Sequence, residues 1–306
     1  MQKKDYILIA VLYGSLLVGI FFPGPSAAVS GTIKYMMMAM LFLAFVKISP
    51  ADVGRALRSN WTGMIWGTLL RLLIAPAVAD CVTLQLYPPL ALPMLLLAGA
   101  STGVSAPFFT SLCRGNISYC LVMTIATSLI LPLTLPAMVK VLAHATLGYD
   151  LTAMALFLAM IIFLPLGAAF GLRALAPALL DPINRVSYPL SLLLVAGINF
   201  GALGRYVPYL KANPKQILYC AAYSMGLALV LGLLGWFSTN NRQWGDRAAA
   251  SGSQIWVNNI LILALAVHIN HPLAATLSVF YLIPYYGVVV FFSVLANRVE
   301  PVFAHG

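Results

Sequence analysis

The chain breaks into about ten apolar runs, most of them near the roughly 20 residues a helix needs to cross a bilayer core, and only seven acidic residues interrupt its 306 positions. A water-soluble core cannot absorb that much apolar length. Soluble domains carry about 25% charged residues; here the share is 8%, against 62% hydrophobic, and the mean hydropathy is +0.96. The expected fold class is an all-α polytopic membrane protein, one integral domain over residues 1–306 in contact with the lipid bilayer.

A formal charge of +10 would suit a nucleic-acid binder if the basic residues clustered. They sit instead singly or in pairs at the ends of apolar runs, as topology signals do, so no nucleic-acid partner is expected. Cys81, Cys113, Cys120 and Cys220 form no CxxC pair and fall in or beside apolar runs, which suits buried free thiols better than a disulfide framework. His268 and His271 could share a helical turn, but a metal site needs more ligands than two. No metal and no cofactor are expected. HExxH, GxSxG and phosphate-loop motifs are absent, and no paired carboxylates lie in a span, so the chain is not expected to be an enzyme.

The runs cover approximately 6–22, 32–46, 64–84, 90–112, 117–142, 151–172, 186–204, 215–237, 248–267 and 273–295. Lys3, Lys4 and the later Ser26-Ala27-Ala28 loosely mimic a signal peptide. The length of the first run and the Pro-Gly-Pro turn at Pro23 to Pro25 favour a retained helix. With the N-terminus cytoplasmic, Lys3, Lys4, Lys47, Arg55, Arg58, Arg114, Arg173, Arg185, Arg242, Arg247 and Arg298 fall inside, and Lys34, Lys140, Arg205, Lys211 and Lys215 outside. That bias puts both termini in the cytoplasm, across a plasma or bacterial inner membrane.

Ten helices divide into two five-helix halves, about 1–145 and 146–306, and an odd number per half inverts the second. The fourth run is interrupted by Gly99-Ala100-Ser101-Thr102-Gly103 and by Pro107. The ninth opens Ala-Ala-Ala-Ser-Gly-Ser and carries Gln254, Asn258 and Asn259 deep inside. Interrupted polar segments at matching places in two halves point to a midplane binding site. Gln254 and Asn258, four apart, are expected on one helical face. Their amides suit a hard cation or a solute carboxylate, or plain interhelical hydrogen bonding. Ser101, Thr102, Ser105 and Pro107 mark a broken helix whose freed backbone could hold ions, or a run of small residues allowing close packing. Thr124 in the fifth run adds a hydroxyl, unless it bonds back to its own helix. Arg71 is the one strong base placed within a span. It either faces a wet cavity, where it would attract an anion, or snorkels to the cytoplasmic edge, the simpler expectation.

Two stretches carry a family resemblance. GVSAPFFTSLCRGNISYCLVMTIATSLILPLTLP, from Gly103 to Pro136, resembles the fourth helix, Arg-Gly-Asn turn and proline-rich fifth helix of the bile acid:sodium symporter family, within the wider bile/arsenite/riboflavin transporter group. GSQIWVNNILILALAVHINHPLAA resembles that family's Glu-x-Gly-x-Gln-Asn helix and the loop after it. The resemblance implies panel and core domains with two broken helices crossing in the core, alternating access, and movement of organic anions, often with sodium. The chain departs from the pattern at its sodium ligands. The family's glutamate is Gln254, its Gln-Asn pair is Asn258-Asn259, its Ser-Asn pair falls on Ala106-Pro107, and a serine position is Cys120, while Thr124 matches. Bound sodium without a nearby carboxylate leaves positive charge uncompensated in a low-dielectric core.

The expectation is therefore a secondary transporter of a small organic solute, an anion, with Gln254, Asn258, Asn259, Thr124, Ser101, Thr102, Ser105 and Pro107 at its site and sodium coupling reduced or absent. Two alternatives stand: sodium symport on amide and carbonyl ligands, and a membrane solute sensor that binds without transport. The oligomeric state is left open.

Overall fold

The computed structural model describes residue 11 and residues 14–47, 61–142, 150–239 and 243–299. The start of the 6–22 run, with Lys3 and Lys4, lies outside the described residues, as do Arg55, Arg58 and Arg242. Apart from one isolated bridge, the described secondary structure is helical.

Residues 14–21 are helical, and α1 (Pro23–Ser30) and α2 (Ile33–Val46) follow at 64° to each other. The Pro-Gly-Pro segment, expected as a turn, instead opens α1. Proline is tolerated there because the first-turn N–H groups have no intrahelical partner to lose. The next span runs from α3 (Trp61–Leu69) through a π turn (Leu70–Ile74) into α4 (Ala75–Leu86). Pro76 lacks the N–H that an α-helical ladder would need at that point. Beside it the register widens, and Ala75 N bonds to Leu70 O as in a π-bulge.

Then come α5 (Ala91–Ala98), α6 (Ala106–Leu112), α7 (Ile117–Leu142), α8 (Leu151–Leu175), α9 (Leu180–Gly204), α10 (Val207–Ala212), α11 (Pro214–Ser238), α12 (Trp244–Ile255), α13 (Asn259–His268), α14 (Pro272–Phe280) and α15 (Leu282–Val299). Asp150 caps α8, its Oδ1 accepting from Thr152 N at 2.8 Å and Ala153 N at 3.1 Å, which satisfies two of the donors a helix start leaves open. Helix α9 begins earlier than the apolar run suggested, because Asp181 in its first turn suits the positive end of the helix dipole.

Among the described residues, five helical stretches are long and apolar enough to cross a membrane: Gly63–Leu86, Ile117–Leu142, Leu151–Leu175, Pro214–Ser238 and Pro272–Ala296; the bent α1–α2 pair would make a sixth. Their outer faces carry large apolar side chains, with Leu133 76% and Leu218 71% exposed, while Arg71, Thr102 and Gln254 are buried. Apolar outside and polar inside is the reverse of the ordinary arrangement in water. It suits a bilayer, where polar groups must find partners within the protein. Cys81, expected buried, is exposed on this apolar surface; the other three cysteines are buried free thiols.

Helix α2 packs on α8 and α9, α1 packs on α9, and α8 also lies along α7. In the remaining group, α4 packs on α5, α6 on α7, α11 on α12 and α13 on α14, while α12 lies against α7 and α5 against α14.

Candidate functional site

The fourth run stops being helical at Ala98 and restarts at Ala106; the ninth stops at Ile255 and restarts at Asn259. The two breaks meet. Thr102 and Val257 form an antiparallel bridge, with Gly103 N donating to Trp256 O at 2.6 Å and Asn258 N to Ser101 O at 2.7 Å. Buried backbone groups must be paired, and each break supplies what the other lacks. Glycine is needed at 103 for this approach, since a Cβ there would lie 2.9 Å from Trp256 O and 3.0 Å from Val257 O.

A helix leaves its last four carbonyls without intrahelical partners, and at the end of α12 other elements provide donors. Thr102 Oγ1 donates to Ser253 O at 2.8 Å, Arg71 Nη1 to Gln254 O at 2.9 Å, and Tyr281 Oη to Ile255 O at 2.8 Å. Arg71 Nε also donates to Ala100 O, just past the end of α5, at 2.8 Å. One guanidinium thus ties both breaks together. The expectation that Arg71 snorkels to the cytoplasmic edge is overturned: it is 0% exposed. The π turn and its continuous span place it mid-helix, turned toward the carbonyls.

The other expected site residues divide. Thr124 Oγ1 donates to Gly103 O at 3.3 Å and to Cys120 O at 2.9 Å, so it reaches the break and also bonds back to its own helix. Ser105 Oγ pairs with Tyr285 Oη at 2.8 Å, and Pro107 lies in the first turn of α6. Gln254 Nε2 donates to Gly67 O on α3 at 3.2 Å. Asn259 Nδ2 donates to Ser278 O on α14 at 3.3 Å, away from the bridge. Asn258 caps α13, its Oδ1 accepting from Leu261 N at 3.4 Å. Gln254 and Asn258 therefore do not share a helical face, because the helix breaks between them. His268 and His271 do not share a turn either. Asn270 adopts φ 53° between them, and His271 Nδ1 accepts from Ala274 N at 3.2 Å at the start of α14.

Three polar side chains at the crossing escaped the sequence. Thr127 accepts from Thr102 N at 3.0 Å, one turn beyond Thr124; the spacing of the two threonines was the available signal. Tyr281 and Tyr285 lie four apart in the last apolar run, and only the fold shows that their hydroxyls serve the breaks. Replacing Thr127 with valine should leave the buried Thr102 N–H unpaired and cost about 1–2 kcal/mol. Thermal unfolding of the purified variant beside Thr134→Val, whose hydroxyl donates only within α7, checks this; equal melting points would refute it. Arg71 Nη2, Ser101 Oγ and Gln254 Oε1 are buried without hydrogen-bond partners among the described residues, so the crossing holds hydrogen-bonding capacity to spare.

A cleft of about 200 Å³ lies between the two helix groups, lined by Ser30, Gly31, Ile33, Lys34, Phe157, Arg205, Ala264, Val267 and His268. Three of these side chains are basic and none is acidic. Phe157 stacks on His268 with centroids 4.1 Å apart and planes 11° apart, and Lys34 Nζ lies 4.9 Å from the Tyr35 ring centre. The α1–α2 bend supplies one wall and the broken span's second half, α13, the other.

Residues 34–211 match the family model described as the Sodium Bile acid symporter family. That is more than half of the chain, and the protein belongs to this family. It is a multi-pass integral membrane protein by that membership and by its apolar spans. It is 23% identical over 225 residues to a protein described as "Probable sodium/metabolite cotransporter BASS2, chloroplastic" of Oryza sativa subsp. japonica, the alignment covering 71% of this chain and 53% of the relative. The chain thus spans about half the length of that relative.

Proposed function

We propose that this protein is a secondary transporter that moves a small organic anion by alternating access, with sodium coupling reduced or absent. The observation that carries this is the cleft, which Lys34 and Arg205 line together with His268 and the apolar Ile33, Ala264 and Val267, with no acid in its lining. Such a surface suits a carboxylate on a compact apolar body, since cationic groups make the stronger, charge-assisted hydrogen bonds to carboxylates.

The packing supports two inverted five-helix halves. Helix α4 lies on α5 as α11 lies on α12, α6 on α7 as α13 on α14, and α7 on α12 as α14 on α5. Exchanging the halves carries each neighbour pair onto its counterpart. In this scheme α1, α2, α8 and α9 form the panel, and the broken pairs α5–α6 and α12–α13 form the moving heart of the core. Both termini face the cytoplasm, so Lys34 and Arg205 meet solute arriving from outside a plasma or bacterial inner membrane. Rocking of the core against the panel closes the cleft and opens a path on the other side, past the spare polar atoms of the crossing.

The family's description and the rice relative's name favour sodium symport as the second reading. Against it stand the neutral Gln254 and the carbonyls of Ala100, Gln254 and Ile255, already engaged by Arg71 and Tyr281. The test is reconstitution in proteoliposomes, with counterflow of labelled short-chain monocarboxylates and taurocholate in sodium or potassium. Uptake equal in both salts is expected. Uptake confined to sodium would establish symport, and ligand-induced thermal stabilisation without flux would make the protein a sensor.

A further inference from the structure

Arg71 has chemistry that anion transport alone does not require. The guanidinium is always charged and fully buried, and its hydrogen bonds among the described residues go to backbone carbonyls. What faces it is the C-terminal end of α5 and that of α12. Each helix end carries about half a negative charge, so two of them offset one guanidinium. Carbonyls of unwound backbone at such ends are the groups that ligate a coupling cation in transporters built on broken helices. Here two of them, Ala100 O and Gln254 O, accept from Arg71 at 2.8 and 2.9 Å.

We infer that the Arg71 guanidinium is a resident cation: it takes the place of a bound metal ion at the helix crossing and keeps sodium out of it. The donor set does not fit an added sodium ion. Ala100 O, Gln254 O and Ile255 O are engaged, the unpaired oxygens beside them, Ser101 Oγ and Gln254 Oε1, are neutral, and a second positive charge would meet the guanidinium at short range in a medium of low dielectric. The same arrangement accounts for two otherwise separate features of the chain, an arginine within a span and a neutral Gln254 in place of an acid. With the guanidinium already balancing both helix ends, a carboxylate at 254 has no second cation to offset. Arg71 is a positioning residue in this scheme, holding the two breaks in register.

This inference rests on the crossing and not on the solute, so its test contains no organic anion. The melting point of the purified protein is measured in sodium, potassium or choline chloride at equal ionic strength. The wild type should melt at one temperature in all three. Arg71→Ala should melt roughly 10 °C lower in choline, as expected when a buried charged group is removed from its partners, and should recover most of that loss in sodium or in millimolar methylguanidinium. Arg71→Lys, which keeps the charge without the fork, should lose less and remain indifferent to sodium. Sodium-specific stabilisation of the wild type would overturn the inference, as would an Arg71→Ala protein that neither cation restores. Should Arg71→Ala fail to fold, the wild type and Arg71→Lys decide it: sodium binding by either refutes a resident cation.

Discussion

Gly235→Val should lower the melting point by some 10 °C, while Gly226→Val on the same helix leaves it unchanged. Gly235 of α11 faces α12 so closely that a Cβ would lie 2.6 Å from both Ala250 O and Ser251 Cα. Those are backbone atoms of a helix whose residues 248–255 are all buried, so no rotamer change relieves the clash. One turn away Ser251 Oγ donates to Gly232 O at 2.9 Å, pinning the two helices at that separation. Small residues let membrane helices approach this closely, and packing is then the main source of their association. Overpacking costs about 1–3 kcal/mol where side chains can give way; here the helices must part, and about 3 kcal/mol or more is expected, some 10 °C in melting point. Because α12 carries half of the crossing, ligand-induced stabilisation should vanish with it. A Cβ at Gly226 meets nothing within 4 Å, so that variant controls for valine in a membrane helix. Equal melting points and elution volumes for the two variants would refute the close-approach argument.

Reversing both cleft charges, Lys34→Glu with Arg205→Glu, should weaken organic-anion binding about a hundredfold. Each reversal exchanges an attraction for a repulsion. About 1.4 kcal/mol apiece is a factor of ten each, a modest figure for charge-assisted contacts. Lys34 and Arg205 both line the cleft, so the double variant leaves it neither lysine nor arginine, with His268 still stacked on Phe157. The control is Lys211→Glu with Lys215→Glu, which alters net charge equally at exposed positions outside the cleft. Binding is read as the anion concentration that half-saturates the melting-point shift. If both double variants lose affinity alike, the long-range field attracts the solute and the cleft is not its site. If neither does, the cleft has no part in binding.

Much of this architecture was legible in the chain. Apolar length, scarce acids and basic residues at run ends require membrane-spanning helices whatever the packing, because backbone polar groups in lipid must be satisfied within the segment. The interruptions at 99–103 and around 254–259 were visible as glycine, proline and amides inside otherwise apolar runs, and both became breaks. Partner choice was not legible. Gln254 and Asn258 looked like neighbours on one face until the helix stopped between them. Asn259 turned to α14, and Thr127, Tyr281 and Tyr285 became hydrogen-bond partners of a site they did not announce. The Pro-Gly-Pro turn became a helix start, since proline marks a first turn as well as it marks a bend.

The sequence by itself determined the solvent, the helical type of the runs, and where two of them must fail as helices, for these follow from composition and local backbone chemistry within a few residues. Only the tertiary structure decided what the failures are for. A broken helix exposes carbonyls and N–H groups whatever surrounds it, but what satisfies them depends on residues far away in the chain. Arg71 and Gln254 are 183 positions apart, and their hydrogen bond exists only because packing brings a π turn and two helix ends to one point. An arginine in an apolar run states that a buried charge must be compensated; the fold alone names the compensating groups as carbonyls rather than a carboxylate.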